Sequence, residues 1–489
     1  MSISLALQTA LTGLQANQTK SAVVARNIAN ATTEGYTRKE AVLTSLTVAG
    51  EGRGVTVSSV ERQVDASLTR EVRSQSSAYE AQAAKAELLA TYTDSIGQPS
   101  DERSLSSKLS ALEQSLIGLE ELPESASQQR AVVDAAVDLA NSLASTSDTI
   151  ADIRQQADAG INDAVNEVNT ALKQMEDLNR QIAVRSGVGQ DTSELEDQRD
   201  RLLDQVASLI DIQYFTRDGN EMVVMTSSGV TLLDETARTL EFNDTAIIGA
   251  EASYPGGLSG LTVDGLDIAP GSGSAQSISG GRIAGLFAVR DDAMPEAQRQ
   301  IDEIASTLTD LFQSADASIT GTSSSDTGLF TENGERHDRA AGDITGMADR
   351  IKVNDLVLLS EGGDPSLVVS GLHASGSSDV GDTTQLAAFI NIFSTTVSFS
   401  ADAGLMTSGT IQSFTDASIS QQHTSRATAE NTATSLNVQL ETVKASREAA
   451  EGVNIDEELQ DLMLLERSYA ANAQIMQAAG RMLDKLLEI

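Results

Sequence analysis

Apolar positions follow three successive rhythms along the 489 residues. Near the N-terminus, Ile3, Ala10, Asn17 and Val24 occupy one heptad position and Leu7, Leu14, Ser21 and Ile28 the other, in alternating steps of four and three. That spacing predicts a coiled-coil seam. The last segment repeats it, with Leu462, Tyr469, Met476 and Leu483 in one row and Leu465, Asn472, Ala479 and Leu486 in the second. No proline precedes Pro99 or follows Pro365, so both ends can run as unbroken helices. Each seam holds one asparagine, Asn17 and Asn472. A polar seam residue costs stability but can fix register, so the pair is either an alignment device or two unrelated solvent-edge residues.

The second rhythm is a long helical stripe between Ser127 and Arg185: Val132, Ala136, Leu139, Leu143, Ile150, Ile153, Ala157, Ile161, Val168, Leu172, Met175 and Ile182. Gly187 and Gly189 break it. Ser193 and Glu196 then have capping-box spacing, and Leu195, Leu202, Val206 and Leu209 give a returning helix its stripe, which together predict an αα-hairpin. Ala433, Leu436, Leu440 and Val443 could complete a bundle with it.

From Ile212 the period shortens towards that of a strand. Tyr214 and Phe215, an Asp218-Gly219 turn and Met222 to Met225 predict a β-hairpin, and Ile351 to Leu359 and Leu367 to Gly371 predict further strands. One helix, with Ile301, Ile304, Leu308 and Leu311, interrupts this glycine- and serine-rich stretch. The predicted fold is mainly α with a β-rich insertion. Residues 1–60 plus 451–489 form a terminal coiled-coil assembly domain, 61–211 plus 411–450 a helical bundle, and 212–410 an outer β-rich insertion with one internal helix.

Composition narrows the chemistry. Aromatics are only 3% and Trp is absent, so cores must be built from Ala, Leu, Val and Ile, which suit packed helices. The net charge of -38 repels nucleic acid and anionic membrane surfaces. Without cysteine there is neither a disulfide nor a thiolate ligand, and no run of 18 apolar residues predicts a membrane span. Met1 to Leu14 lacks the basic and apolar regions of a cleaved signal.

His337, His373 and His423 have no metal-ligand spacing, and Gly271 and Gly273 begin a dinucleotide-type pattern that Gln276 breaks. The expectation is no catalytic, cofactor or metal site. Asp197 and Asp200, with Arg199 and Arg201, read as ionic contacts flanking a helix stripe.

The run Asn27-Ile28-Ala29-Asn30-Ala31-Thr32-Thr33-Glu34-Gly35-Tyr36-Thr37-Arg38 resembles the N-terminal signature of the flagellar rod, hook and hook-associated protein family. The usual form has Pro before the Gly-Tyr pair and Ser after it; Glu34 and Thr37 stand there instead. Gly452-Val453-Asn454-Ile455-Asp456-Glu457-Glu458 resembles the matching tail, and Glu194 to Leu202 and Arg290 to Asp292 look like the hook-associated branch. The resemblance implies a non-enzymatic structural subunit in a ring between hook and filament. It would lie outside the cell, exported by the flagellar type III apparatus without a cleaved signal. Implied partners are further copies of the chain, the hook protein, a second hook-filament junction protein, and the export apparatus with its chaperone. Ile3, Leu7, Leu14, Asn17, Val24, Ile28, Leu462, Tyr469, Asn472, Met476 and Leu483 are the candidate assembly residues, packing either between subunits or within one bundle. A hook or distal-rod subunit, or a scaffold with a hydrolase in the insertion, are the alternatives.

Overall fold

Both ends are helical in the computed structural model, which describes residues 3–48, 51–339, 343–374 and 381–487. Helix α1 (Ile3–Asn30) turns into a long antiparallel hairpin, β1 (Lys39–Val48) and β2 (Glu51–Arg62), which lies along it. Register runs from Lys39 opposite Arg62 and slips at Val42/Leu43 and Ser45/Thr47, bulges that interrupt an otherwise open sheet edge. Gly54, at φ 117°, permits the close approach: a Cβ there would stand 2.0 Å from Thr12 Oγ1. The seam pattern gave no sign of this hairpin.

Three capped helices follow, α2 (Ala66–Ile96), α3 (Leu105–Glu121) and α4 (Ala126–Gly187). Side chains of Asp65, Ser104 and Ser125 accept the first free amides of each. Helix α4 has 62 residues and is therefore about 93 Å long. All twelve apolar residues predicted as its stripe are at most 1% exposed. Helix α5 (Ser193–Leu209) returns along it. The predicted capping box does not form. Thr192 is the N-cap and its hydroxyl donates to Glu196 (2.6 Å), Asn220 Nδ2 donates to the same oxygen (2.7 Å), and Ser193 Oγ turns to Asp191 (2.7 Å).

The insertion is less β-rich than predicted. It holds a sheet of β3 (Ile212–Arg217), β4 (Glu221–Thr226) and β5 (Thr231–Leu233), and a smaller one of β6 (Leu240–Glu241), β7 (Thr262–Val263) and β8 (Leu266–Asp267). Helix α6 (Gly281–Phe287) passes through a π-turn into α7 (Met294–Ala315). Gly285 lets α6 rest directly on α2, since a Cβ would stand 2.2 Å from the Ala81 carbonyl oxygen. Then come β9 (Phe330–Glu332), α8 (Met347–Arg350), β10 (Ile351–Val353), α9 (Leu367–Ser370), α10 (Thr384–Asn391), β11 (Val397–Ser398) and β12 (Ser408–Gly409).

Of the two later predicted strands, only Ile351–Val353 is one. Leu367 to Gly371 begins as helix α9 because the amides of Leu367 and Val368 fold back on the carbonyls of Asp364 and Pro365. A short apolar run does not distinguish strand from helix by period.

Helix α11 (Ile411–Glu451) returns to the bundle and α12 (Ile455–Leu487) lies beside α1. The stripe on α11 packs mainly on α2 rather than on the predicted hairpin, whose α4 face is already covered by α3, α5, α6 and α7. A single core runs from Ala84 to Ala429, so packing crosses the boundary drawn at residue 212. No described helix is long and apolar enough to cross a membrane.

Candidate assembly interface

Where α1 ends, a buried polar knot fastens the chain termini to the bundle. Asn27 is 1% exposed and uses its whole amide. Its Nδ2 donates to the Lys39 carbonyl (2.9 Å) and to Glu458 of α12 (3.1 Å). Its Oδ1 accepts from the Tyr36 hydroxyl (2.9 Å) and the Lys39 amide (3.1 Å). Burial first, then the Glu194 carboxylate, push the Tyr36 pKa above the usual phenol range and keep that hydroxyl a donor. Arg38 Nε donates to the other Glu458 oxygen (2.7 Å). One asparagine thus joins α1, β1 and α12.

A second layer of charges reaches α5 and α2. The Lys39 ammonium is fully buried between Glu194 and Asp197 and lies over the Tyr36 ring at 4.3 Å. Asp197 also accepts from Thr37 Oγ1 (2.7 Å) and pairs with Arg62 (3.0 Å). Asp200 pairs with Arg62 and Arg73, and Asp204 with Arg73 and Arg447. Burial opposes the Asp200 carboxylate, but Arg62 and Arg73 together outweigh it and hold its pKa below the usual range. Arg199 bonds neutral oxygens of Asn179 and Asn220, and Arg201 reaches the Gly35 carbonyl. The acidic pair read as helix-flanking contacts therefore bonds residues 127 to 160 positions away.

Beyond the knot, the terminal helices are held mainly by one another. On α1, Leu14, Asn17 and Val24 are buried while Ile3, Leu7 and Ile28 are half-buried. On α12, Leu462, Asn472 and Met476 are half-buried, Tyr469 and Leu483 are exposed, and the Leu486 side chain lies outside the described residues. The two asparagines do not meet. Asn17 Nδ2 donates to Ser468 Oγ (2.9 Å), and Asn472 fills the space over Gly13. Each seam amide faces a small residue about a turn from the other amide, so direct pairing is not their register device.

Three family models match this chain. The flagellar hook-associated protein FlgK helical domain covers residues 90–328, the flagella basal body rod protein model 7–37, and the flagellar basal body rod FlgEFG protein C-terminal model 448–489. Flagellar hook-associated protein 1 of Bacillus subtilis is 25% identical, over 98% of this chain and 97% of its own length. The chain is similar to flagellar hook-associated protein 1 along nearly its whole length. Its Salmonella typhimurium relative is 28% identical over 62% of this chain and 55% of its own length, so that match spans about half of the relative. A solved flagellar hook junction protein from Burkholderia pseudomallei aligns at TM-score 0.44 and 21% identity, over 54% of this chain and 46% of that one.

Both rod-type matches reach the knot: one ends at Thr37, beside Arg38, and the other begins at residue 448 and includes Glu458. The histidines have structural roles: His373 Nε2 and His423 Nε2 bond the carbonyls of Thr327 (2.9 Å) and Gly97 (3.0 Å). His337 stands between Ser306 Oγ (2.8 Å) and Glu332 (2.9 Å), the order of a hydrolytic triad. Ser306 is wholly buried within α7, so no substrate reaches that hydroxyl in this conformation.

Proposed function

We propose that this chain is a structural subunit of the hook-filament junction that joins further copies of itself through α1 and α12. The observation that carries the reading is the surface of α12. Ile455, Leu459, Met463, Leu464, Tyr469, Ile475, Met482 and Leu483 are each 38 to 60% exposed on one helix supported mainly by α1. Apolar surface on this scale marks a contact with another protein rather than a solvent face. The eleven seam residues from Ile3 to Leu483 contribute to that contact or to the helix pair behind it. The hook protein and a second junction protein are the neighbours at either end of the ring, and an export chaperone with the type III apparatus handles the chain before assembly. The reading is non-enzymatic: every interaction described holds parts together, and none activates a nucleophile at the surface.

Immunogold labelling of intact flagella tests this, with label concentrated at the hook tip as the expected result. Label along the filament or in the basal body would reject the junction. A chain ending at Gly452 should keep the helical domain yet fail to join the structure.

A further inference from the structure

We propose that Asp197 is the positioning residue of a joint between two bodies and sets the angle at which α1 and α12 leave the helical bundle; this rests on assembly through those helices and concerns the direction in which they are presented. Among the described residues, the core that runs from Ala84 to Ala429 includes none from α1, β1, β2 or α12, and none of the apolar side chains packed against it comes from them. The terminal helices and their hairpin are therefore a second body, with no share in the apolar packing of the first.

The two chain crossings lie side by side. Residues 63–65 lead from β2 into α2, and residues 452–454 from α11 into α12. Glu451 stitches them together: its carbonyl accepts from the Arg38 amide (2.8 Å) and its carboxylate from the Asp65 amide (2.8 Å). Adjacent crossings form a pivot whose angle has to be held from elsewhere.

The hold comes from α5. Lys39 and Arg62 are direct cross-strand partners at the base of the hairpin, where two like charges repel each other. Asp197, 1% exposed, stands 3.0 Å from each of them and also accepts from Thr37 Oγ1 (2.7 Å). Glu194 pairs with β1 alone, and Glu196 and Asp200 with β2 alone, whereas Asp197 grips both strands. Desolvation offsets most of the attraction within a buried ion pair, so its net stability is small, yet its short, directed bonds admit one geometry. An apolar contact of the same size would tolerate sliding; this one specifies a direction.

Spin-label distances test the angle in the full chain, which has no cysteine of its own. Labels are placed at Thr44→Cys in the hairpin and Lys173→Cys in α4, both exposed positions. The parent should give one narrow distance distribution. Asp197→Glu, which keeps the charge on a longer arm, should give one narrow distribution at a displaced mean, and Asp197→Asn a broad one, with exchange protection in α4 unchanged in both. A residue that only added stability would leave the mean where it was. Lys39→Gln with Arg62→Gln alters the hairpin side alone; it should broaden the distribution too and covers failure of the α5 variants to fold. A broad parent distribution, an Asp197→Asn distribution as narrow as the parent's, or an unmoved mean with Asp197→Glu would each overturn the proposal. The distances are read on the free chain, so that failure is distinct from immunogold label away from the hook tip, which rejects the functional reading and leaves the joint standing.

Discussion

Asn27 shows how much of a signature can rest on one side chain. Replacing it by Ala leaves the Tyr36 hydroxyl, the Lys39 amide and carbonyl, and one Glu458 oxygen without their buried partner. Stranding such groups costs about 1 to 3 kcal/mol each before relaxation, so Asn27→Ala should weaken the knot by at least about 2 kcal/mol. Amide exchange at Lys39 should then accelerate roughly thirtyfold, while exchange in α4 is unchanged. The sequence displayed the motif but not this wiring, because the partners lie as far as 431 residues away. Asp302 offers a different test. Burial pushes its carboxyl up to about 6, despite bonds donated by the Gly346 and Ala348 amides and by Gln298. With an unfolded value near 4, the folded state holds the proton more tightly. The stability it contributes is full below about pH 4 and is lost as pH rises through 6, by up to about 3 kcal/mol. Asp302→Asn should flatten the difference in denaturation midpoint between pH 4.5 and 7; an unchanged difference would assign that dependence to other carboxylates.

Among the elements, α4 was fully legible because a three-and-four stripe sustained over fifty residues has no competing reading. The short runs were not. Leu367 to Gly371 is apolar enough for a strand, and its helical turn depends on Asp364 and Pro365 just before it. The Ser193 cap failed because Glu196 is claimed by Thr192 and Asn220. The terminal helices carry the sharpest prediction at this scale. Ala479 is the only apolar residue of α12 that is fully buried among the described residues. Fixing each backbone residue costs about 1 to 2 kcal/mol, so such a helix is marginal away from the knot. In the isolated monomer, exchange protection should decay from Asn27 towards Ile3 and from Glu458 towards Leu487. Uniform protection along both helices would mean that they are stable before assembly.

For the molecule as a whole, the sequence pattern indicated a mostly helical chain with small strands and the hairpin of α4 and α5, but not which helices share a core. Helix α11 lies on α2, and the buried polar face of α7 bonds α4 through Gln298 and Ser147 and α11 through Gln300 and Ser418. Periodicity reports that a face is buried, not against what. Because the core is continuous, Phe312→Ala should act globally. Phe312 is fully buried with its ring 5.2 Å from those of Phe330 and Phe389, and its loss should cost about 3 to 5 kcal/mol. Calorimetry should show one main transition moving down. A separate low-temperature transition with the remainder unmoved would establish the insertion as an independent unit.

The uninterrupted α4 also makes this chain a mechanical member. At one end its hairpin with α5 meets α1 through Arg26 and Asp191; at the other it carries α3 and, through that, α10. A load passed from α1 to this end of α4 would be carried along one continuous column of backbone hydrogen bonds.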